Sequence, residues 1–393
     1  MPPAAAISPQ QALQALDASN SLLARNQGPE LLYSASVDLT NGQTINPTNL
    51  NLRRALSDLC VRLRFRVAVA AANYVAVGAE APQNILQRII LQGTHPAYGA
   101  QTLWNTTGAT AFVYPRLFNL TGGTLLINET LAATPGQPVT SSFLGTTAGS
   151  PYDVELVYHL PLVPFIGIGQ QLKKQQSAFL LQPTDWGDSL QLSLQFGDKS
   201  ALGNSTGATV TFSGYGGSGN PTVEVHGVYN ILGDLKDTFV NRSGITIRNE
   251  VVLSSFTALA TNTRLQQLQK RCTTNLLVKS GVIETTLQSA GITTFASLSD
   301  RQLDATQVLV DSKPIRNNSA NMVSKSWIAR QFGTNPPAGY YLISFVDSNN
   351  PMTAFRGDKL PTGTSFDLNT NVLTASANNR QSVLQETIIG GPF

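Results

Sequence analysis

From residue 31 onward, short runs of β-prone residues alternate with clusters of turn-forming residues. Runs of this length, bounded by Gly, Asn, Pro and Ser, are typical of the strands of a β-sandwich or a jelly roll. In the first half of the chain they predict strands at residues 31–39, 60–70, 124–127, 154–160, 190–196, 208–212 and 223–231. This series approaches the eight strands of one jelly roll.

A polar stretch, residues 234–244, separates these runs from a second β-prone set. The second set predicts strands at residues 245–253, 274–278, 340–346, 365–368 and 382–389. Between them, residues 263–271 and 319–332 have helical composition, which predicts helices inserted in long loops. We therefore expect an all-β protein with two β domains, residues 31–238 and residues 239–393.

A helix is predicted before the first strand. The Ser-Pro pair at residues 8–9 supplies a capping hydroxyl and a proline at the first helical position, and the Gly-Pro pair at residues 28–29 ends the helix. Its apolar stripe is formed by Leu13, Leu16 and Leu23. Residues 1–30 are therefore expected to form an N-terminal helical arm. Two placements remain open: on the arm's own domain, or on a neighbouring subunit or an inner surface.

The composition adds an expectation of self-association. Asp, Glu, Lys and Arg make up only 12% of the 393 residues, about half the share of ordinary globular proteins. Charged groups are costly to desolvate, so surfaces that become covered by other protein are depleted of them. The net charge of +3, from 26 basic and 23 acidic residues, is too balanced to indicate general binding to nucleic acid.

The apolar pattern predicts neither export nor a membrane span. The chain begins without the basic region and the continuous apolar core of a secretory signal. Its most apolar stretch, residues 154–168, is interrupted by His159, Pro161 and Pro164. Cys60 and Cys272 lie far apart in sequence, and we expect buried free thiols rather than a disulfide or zinc ligands.

No group of residues has the spacing of a catalytic or metal site. Residues 203–207 fit the G-x-S-x-G pattern of a hydrolase, but β-prone residues follow, whereas a nucleophile elbow requires a helix there. His95, His159 and His226 lack the spacing of metal ligands. We therefore expect a protein that is not an enzyme, with no catalytic residue, cofactor or metal.

Arg62, Arg64 and Arg66 alternate with apolar residues, so a strand places all three guanidinium groups on one face. Three like charges in a row repel each other unless carboxylates or another anion lie opposite them. Two interpretations remain open. The face is either a solvated strand surface or an interaction surface that meets a neighbouring subunit, anionic lipid or nucleic acid.

Short segments along the chain resemble a known family, in the same order. They are residues 84–90 (Asn-Ile-Leu-Gln-Arg-Ile-Ile), 158–162 (Tyr-His-Leu-Pro-Leu), 326–330 (Ser-Trp-Ile-Ala-Arg), 337–341 (Pro-Ala-Gly-Tyr-Tyr) and 347–351 (Asp-Ser-Asn-Asn-Pro). In these segments the chain resembles the major capsid proteins of tectiviruses, tailless icosahedral phages with a membrane inside the shell. The likeness is spread over most of the chain in patches, and residues 234–315 match only in outline.

The resemblance implies a double jelly roll, in which two eight-stranded β-barrels stand side by side. Three chains would form a homotrimeric capsomer of six barrels, which tiles the shell of a virion assembled from protein made in the host cytoplasm. The implied partners are the chain itself, neighbouring trimers, penton and minor capsid proteins and the internal viral membrane, without sequence-specific nucleic acid. Residues 101–150 and 203–221 are expected to form loops on the outside.

Two other classes of function remain open. Jelly rolls also form lectins and receptor-binding spikes, and the Asn-, Thr- and Gly-rich loops of this chain could hold a sugar. An enzyme on a jelly-roll scaffold, as in the cupins, is opposed by the lack of a His/Glu metal set in the sequence.

Overall fold

The computed structural model of the chain consists mainly of β-strands with short helices, so the predicted all-β class is confirmed. No described helix is long and apolar enough to cross a membrane. The structure describes residues 29–47, 50, 55–70, 76–77, 79–118, 123–128, 130–133, 151–164, 179–181, 183–186, 188–204, 209–229, 244–253, 262–283, 295–298, 303–318, 321–334, 336–346, 354–372 and 379–390.

The elements of the first half form one group. The strands are β1 (Glu30–Ser36), β2 (Gln43–Ile45), β3 (Leu56–Ala70), β4 (Ala76–Val77), β5 (Leu86–His95), β6 (Gly99–Thr106), β7 (Thr124–Ile127), β8 (Thr130–Ala133), β9 (Tyr152–Pro161), β10 (Gln191–Phe196), β11 (Gly203–Asn204), β12 (Thr209–Ser213) and β13 (Thr222–Tyr229). The helices are α1 (Gly108–Val113) and α2 (Pro183–Trp186).

The elements of the second half follow. The strands are β14 (Ile245–Leu253), β15 (Asn262–Gln267), β16 (Cys272–Ile283), β17 (Phe295–Leu298), β18 (Leu303–Val310), β19 (Lys313–Asn318), β20 (Tyr340–Ser344), β21 (Phe355–Arg356), β22 (Phe366–Val372) and β23 (Asn379–Ile389). The helix is α3 (Asn321–Phe332), which lies between β19 and β20.

These strands form three large sheets among the described residues. Sheet 1 has the order β1-β13-β3-β9-β7-β8, with β12 also paired to β3. Sheet 2 has the order β17-β16-β23-β14-β6-β5-β10-β2, with β20 and β21 also paired to β16, and sheet 3 has the order β15-β22-β18-β19. Sheet 2 joins the two halves of the chain, because β6 pairs in parallel with β14 through Trp104–Arg248 and Asn105–Asn249.

The two halves have the same strand order. We define roll 1 by its principal strands β1, β2, β3, β5, β6, β9, β10 and β13, and roll 2 by β14, β15, β16, β18, β19, β20, β22 and β23. Numbered from first to eighth within each roll, the strands run 1-8-3-6 in one sheet and 2-7-4-5 in the other. Eight strands in two four-stranded sheets with this order form a jelly roll.

The third and eighth strands of roll 2 are buried on both faces. Leu276 on β16 and Val383 on β23 belong to the core inside roll 2. Their sequence neighbours Leu277 and Leu384 belong to the large core that fills roll 1 and extends between the rolls. Successive side chains of a strand point to opposite faces, so these two strands are packed between both cores.

Two sequence predictions about elements have opposite outcomes. The helix predicted at residues 319–332 is confirmed as α3. The helix predicted at residues 263–271 is wrong, because residues 262–267 form β15 and pair with β22 along their whole length. Gln- and Leu-rich composition favours a helix only weakly, and pairing in a sheet overrides it. The principal strands β2, β5, β6, β18 and β19 were not predicted from the sequence.

Two predicted boundaries lie outside the described residues. The N-terminal arm, residues 1–30, overlaps them only at residues 29–30, and its residues Leu13, Leu16 and Leu23 lie outside. The division between the domains at residues 238 and 239 also lies outside, between β13 and β14. Both remain predictions.

Candidate functional site

Arg62, Arg64 and Arg66 lie on one face of β3, as predicted. The residues between them, including Leu63 and Phe65, are fully buried in the core of roll 1. The three arginines therefore point away from that core, and about a third of each side chain remains exposed, at 32%, 33% and 29%. We call this outward surface of sheet 1 the arginine face.

Carboxylates of the same chain lie opposite the arginines. Arg62 donates from Nε to Glu155 Oε1 at 2.9 Å and from Nη1 to Glu224 Oε2 at 3.2 Å. Arg64 Nε lies 3.3 Å from Glu155 Oε2. Glu155 is on β9 and Glu224 is on β13, the two strands that flank β3. The repulsion among the three arginines is therefore offset within the chain.

At the Arg66 end of β3, the arginine face is covered by a turn. Arg66 Nε donates to Asp153 Oδ1 at 2.8 Å, and this hydrogen bond is the main reason that the pKa of Asp153 lies below its usual value. The guanidinium carbon of Arg64 lies 4.4 Å from the centre of the Tyr215 ring. Tyr215 belongs to the turn of residues 214–219, where Gly216 has a φ of 77°, a left-handed conformation that glycine adopts without strain. Residues 203–221 were expected to form an outer loop; residues 214–219 form this turn, whereas residues 209–213 form strand β12.

At the opposite end, near Cys60, the arginine face carries a thiol and two imidazoles. Cys60 lies opposite His159 on β9 and His226 on β13. Cys60 Sγ is 3.5 Å from His159 Nε2, and His226 Nε2 is 3.1 Å from Glu224 Oε2. Burial, with a contribution from Asp58, raises the pKa of Cys60 to about 12, so the thiol is protonated at neutral pH.

The other cysteines and histidines that the structure describes are not gathered into a site. Cys60 and Cys272 are buried free thiols, as predicted. His95 stacks on Tyr98 with ring centres 4.6 Å apart. Among the described residues, no group of three or more His, Cys, Asp or Glu side chains is placed to hold a metal ion. The G-x-S-x-G segment is followed by strand β12, as expected, and Ser205 lies outside the described residues.

The junction between the rolls contains a buried ionic cluster that the sequence analysis missed. Lys279 on β16 is 1% exposed, and its Nζ donates to Glu80 Oε1 at 2.8 Å and lies 3.6 Å from Glu250 Oε1. Glu80 belongs to roll 1, whereas Lys279 and Glu250 belong to roll 2. We call these three residues the junction triad.

Helix α1 completes the surroundings of the junction triad. Glu250 accepts hydrogen bonds from the Thr107 backbone N–H at 2.7 Å, the Thr110 hydroxyl at 2.8 Å and the Ser382 hydroxyl at 2.5 Å. Burial acts to raise the pKa of Glu250, but Lys279 and these donors outweigh it, so the pKa lies below its usual value. Lys279 and Glu250 are therefore both charged, and all three side chains of the triad are buried.

A second buried ion pair lies at the junction of the two rolls, beside the β6–β14 pairing. Arg248 and Glu386 are both fully buried, and Arg248 Nε donates to Glu386 Oε2 at 2.8 Å. The other guanidinium nitrogens of Arg248 donate to the carbonyl oxygens of Pro161 at 2.5 Å and Val163 at 2.6 Å, both in roll 1. Trp104 covers the guanidinium, with its ring centre 4.7 Å away. The two rolls are therefore held in one orientation by directional contacts as well as by apolar packing.

Comparison with solved structures identifies the fold. The major capsid protein of Sulfolobus Turreted Icosahedral Virus matches with a TM-score of 0.55 and 13% identity, over 90% of this chain and 95% of that one. The Faustovirus major capsid protein matches with a TM-score of 0.54 and 10% identity, over 93% and 90% of the two chains. The major capsid protein of bacteriophage PM2 matches with a TM-score of 0.50 and 10% identity, over 91% and 97%.

Neither the comparison with protein-family models nor that with curated proteins gives a match. The structural matches extend over both rolls, so the chain has the double jelly-roll fold of viral major capsid proteins. The double jelly roll predicted from the sequence is confirmed.

Proposed function

We propose that this chain is the major capsid protein of an icosahedral virus and that it acts as a homotrimer. One observation carries the proposal: over at least 90% of its length, the chain has the same fold as three viral major capsid proteins. Its low share of charged residues supports the same conclusion, because most of its surface would be covered by other protein. Its place is then the virion shell, and its role is structural rather than enzymatic.

The way in which the rolls are joined supports closure into a ring. The contact is head to tail, since the fifth strand of roll 1 pairs with the first strand of roll 2. Contacts of this kind generate closed rings when the rotation fits. Three copies with the same relation between successive rolls would make a ring of six rolls, which fills a sixfold lattice position.

The partners follow from this role. The trimer would contact neighbouring trimers in the shell, and penton and minor capsid proteins where the lattice changes. Residues 1–30 would serve as an arm toward a neighbouring subunit or the inside, where an internal membrane is the expected surface. The arginine face is assigned to the same assembly, at the seam with another copy.

Assembly of the purified protein tests the proposal. Sedimentation at micromolar protein is expected to give a trimer, and light scattering with electron microscopy is expected to show sheets or shells under some condition of salt and pH. A lectin or receptor-binding spike would instead remain a dispersed oligomer and bind glycans on an array. Glycan binding without higher assembly in any condition would replace the capsid proposal with that alternative.

A further inference from the structure

Four of the five large apolar side chains that remain exposed among the described residues lie at the two ends of the double roll. The five are Leu31, Val251, Ile315, Val323 and Trp327. Ile315, Val323 and Trp327 belong to β19 and α3 of roll 2, and Leu31 belongs to β1 of roll 1. β19 and β1 are the end strands of sheets 3 and 1. They are the counterparts of β6 and β14, the fifth and first strands that pair inside the chain.

Helices α1 and α3 are also counterparts, since each follows the fifth strand of its roll and precedes the sixth. Every residue of α1 is buried, and Thr110 contacts Glu250 and Lys279 of the next roll. Helix α3 instead leaves Val323 69% exposed and Trp327 61% exposed. Residues four apart lie on one side of a helix, so these two form a single apolar surface, which we call the α3 face.

The surfaces that receive such helices are equivalent too. Lys279 lies on the third strand of roll 2, on the side away from the core of that roll, between carboxylates. There it receives Thr110 of α1 and is 1% exposed. Arg62 and Arg64 lie on the third strand of roll 1, again on the side away from its core and beside carboxylates. They keep about a third of their surface exposed, at 32% and 33%.

We infer that the α3 face of one copy packs against the arginine face of a second copy. Val323 and Trp327 would cover Arg62 and Arg64, as α1 covers Lys279 within the chain, and Ile315 on β19 would approach Leu31 on β1. Guanidinium groups stack well on indole rings, and Trp and Arg dominate the energetics of protein interfaces. This inference rests on the proposed trimer and names its contact surfaces.

The chemistry of the two surfaces fits another copy better than a lipid bilayer or a polyanion. The arginines already have Glu155, Glu224 and Asp153 as partners, so the face has no net excess of positive charge to attract phosphates. It can still offer guanidinium planes on β3, two strands away from β1 in sheet 1, although the Arg64 guanidinium also contacts Tyr215. The α3 face offers the Trp327 ring, which already has the Arg330 guanidinium 5.9 Å from its centre and can stack a second cation only on its other side.

Substitution of the α3 face tests the inference. The double variant Val323→Ser, Trp327→Ser changes side chains that are mostly exposed, so its circular dichroism should match the parent chain. Its thermal unfolding should match only at protein concentrations where both chains are monomeric, because association stabilises the folded state. Loss of an aromatic anchor should raise the protein concentration at which half of the trimers dissociate by at least about 30-fold. Val251→Ser is the matched control, since Val251 is 42% exposed but lies on β14, away from both faces, and should leave the trimer unchanged.

Cross-linking provides an independent test that does not depend on the behaviour of the serine variant. The double variant Val323→Cys, Ser34→Cys places one thiol on α3 and one on exposed β1, opposite Glu224. A short bis-maleimide should link copies of it into covalent dimers and trimers. The two single variants should not cross-link, because Cys60 and Cys272 are buried.

The outcomes separate this inference from the proposed function. A parent chain that is monomeric at every concentration would overturn both. A parent trimer that survives the double serine substitution, with no links between positions 323 and 34, would overturn the inference and leave the capsid proposal standing. A trimer that survives while binding of the chain to anionic vesicles is lost would assign the α3 face to a membrane instead.

Discussion

Replacing Lys279 with Met removes the cation of the junction triad with little change of volume. Glu80 and Glu250 then face each other in a buried site without a counter-charge, at positions where they now lie 2.8 Å and 3.6 Å from the ammonium. Lys279→Met should therefore weaken the attachment of one roll to the other.

The magnitude follows from the burial of all three groups. Removing one partner of a buried ion pair costs about 3–5 kcal/mol, because the other charge is left uncompensated. Further replacement of Glu80 and Glu250 by Gln should recover much of that loss, since neutral amides can use the donors of Thr107, Thr110 and Tyr340. The exposed pair Arg356–Asp358, at 41% and 35% exposure, is the control. Its replacement by Gln and Asn should cost about 0–1 kcal/mol.

The pH dependence of the Lys279 variant has a definite sign. In the parent chain the folded-state pKa of Glu250 lies below its usual value, so its ionised form adds stability above that value, and the gain is lost as pH falls through the folded pKa. Without Lys279, burial dominates and raises the folded-state pKa of Glu250. Protonation of Glu250 then stabilises the folded variant. The difference in unfolding free energy between parent and variant should therefore narrow as pH falls from 7 toward about 4.

Urea unfolding at fixed protein concentration, followed by tryptophan fluorescence, measures these differences. We expect a large loss of unfolding free energy for Lys279→Met at neutral pH, partial recovery in the triple variant and a smaller loss in acid. A Lys279→Met chain that unfolds at the same urea concentration as the Arg356/Asp358 control would refute it. So would a loss that grows as the pH falls.

Three further predictions concern other parts of the chain. Burial raises the pKa of Cys60 to about 12 and that of Cys272 to about 11. Both thiols should therefore react with a disulfide reagent at pH 8 far more slowly in the native chain than in urea. Fast labelling of either thiol in the native chain would contradict its burial. Deleting residues 1–28 should leave trimers that melt nearly as the parent does but fail to form regular shells, and insolubility of the shortened chain would instead make the arm part of the core. Gly108→Ala should lower the melting temperature, with a cost of about 1–3 kcal/mol, because the new methyl group would meet the carbonyl oxygen of Leu86 where α1 begins; an unchanged melting temperature would show that the helix can move.

Local pattern predicted the strands whose borders are marked by local chemistry. The run at residues 245–253 coincides with β14, because a polar stretch precedes it and two serines follow Leu253. The helix at residues 319–332 was also predicted. Helix α3 buries only one side, so its residues follow local helix propensity. By contrast, residues 262–267 became a strand through pairing with β22, about 100 residues away in sequence, which no local window contains.

Residue spacing predicted the arginine face but not the carboxylates that pair with it. Alternation placed Arg62, Arg64 and Arg66 on one side of β3, but the partners Glu155 and Glu224 come from positions 93 and 162 residues away from Arg62. Only the fold brings those strands together.

The junction triad could not be predicted from local sequence for the same reason. Lys279 and Glu80 are separated by 199 residues. A signal was nevertheless present, because Arg248 and Glu250 lie inside a predicted strand and Lys279 directly follows one, in a chain that has few charges. Charges in such strands are candidates for buried pairs between domains, since a strand that is covered on both faces leaves them no access to water.

Cryo-electron microscopy of the purified, unmodified protein tests the capsid account most directly. We expect particles with three copies around a threefold axis, in which six rolls form a ring with a nearly sixfold outline and roll 2 of each copy abuts roll 1 of the next. A population of stable monomers, or of twofold dimers with like surfaces in contact, would contradict it.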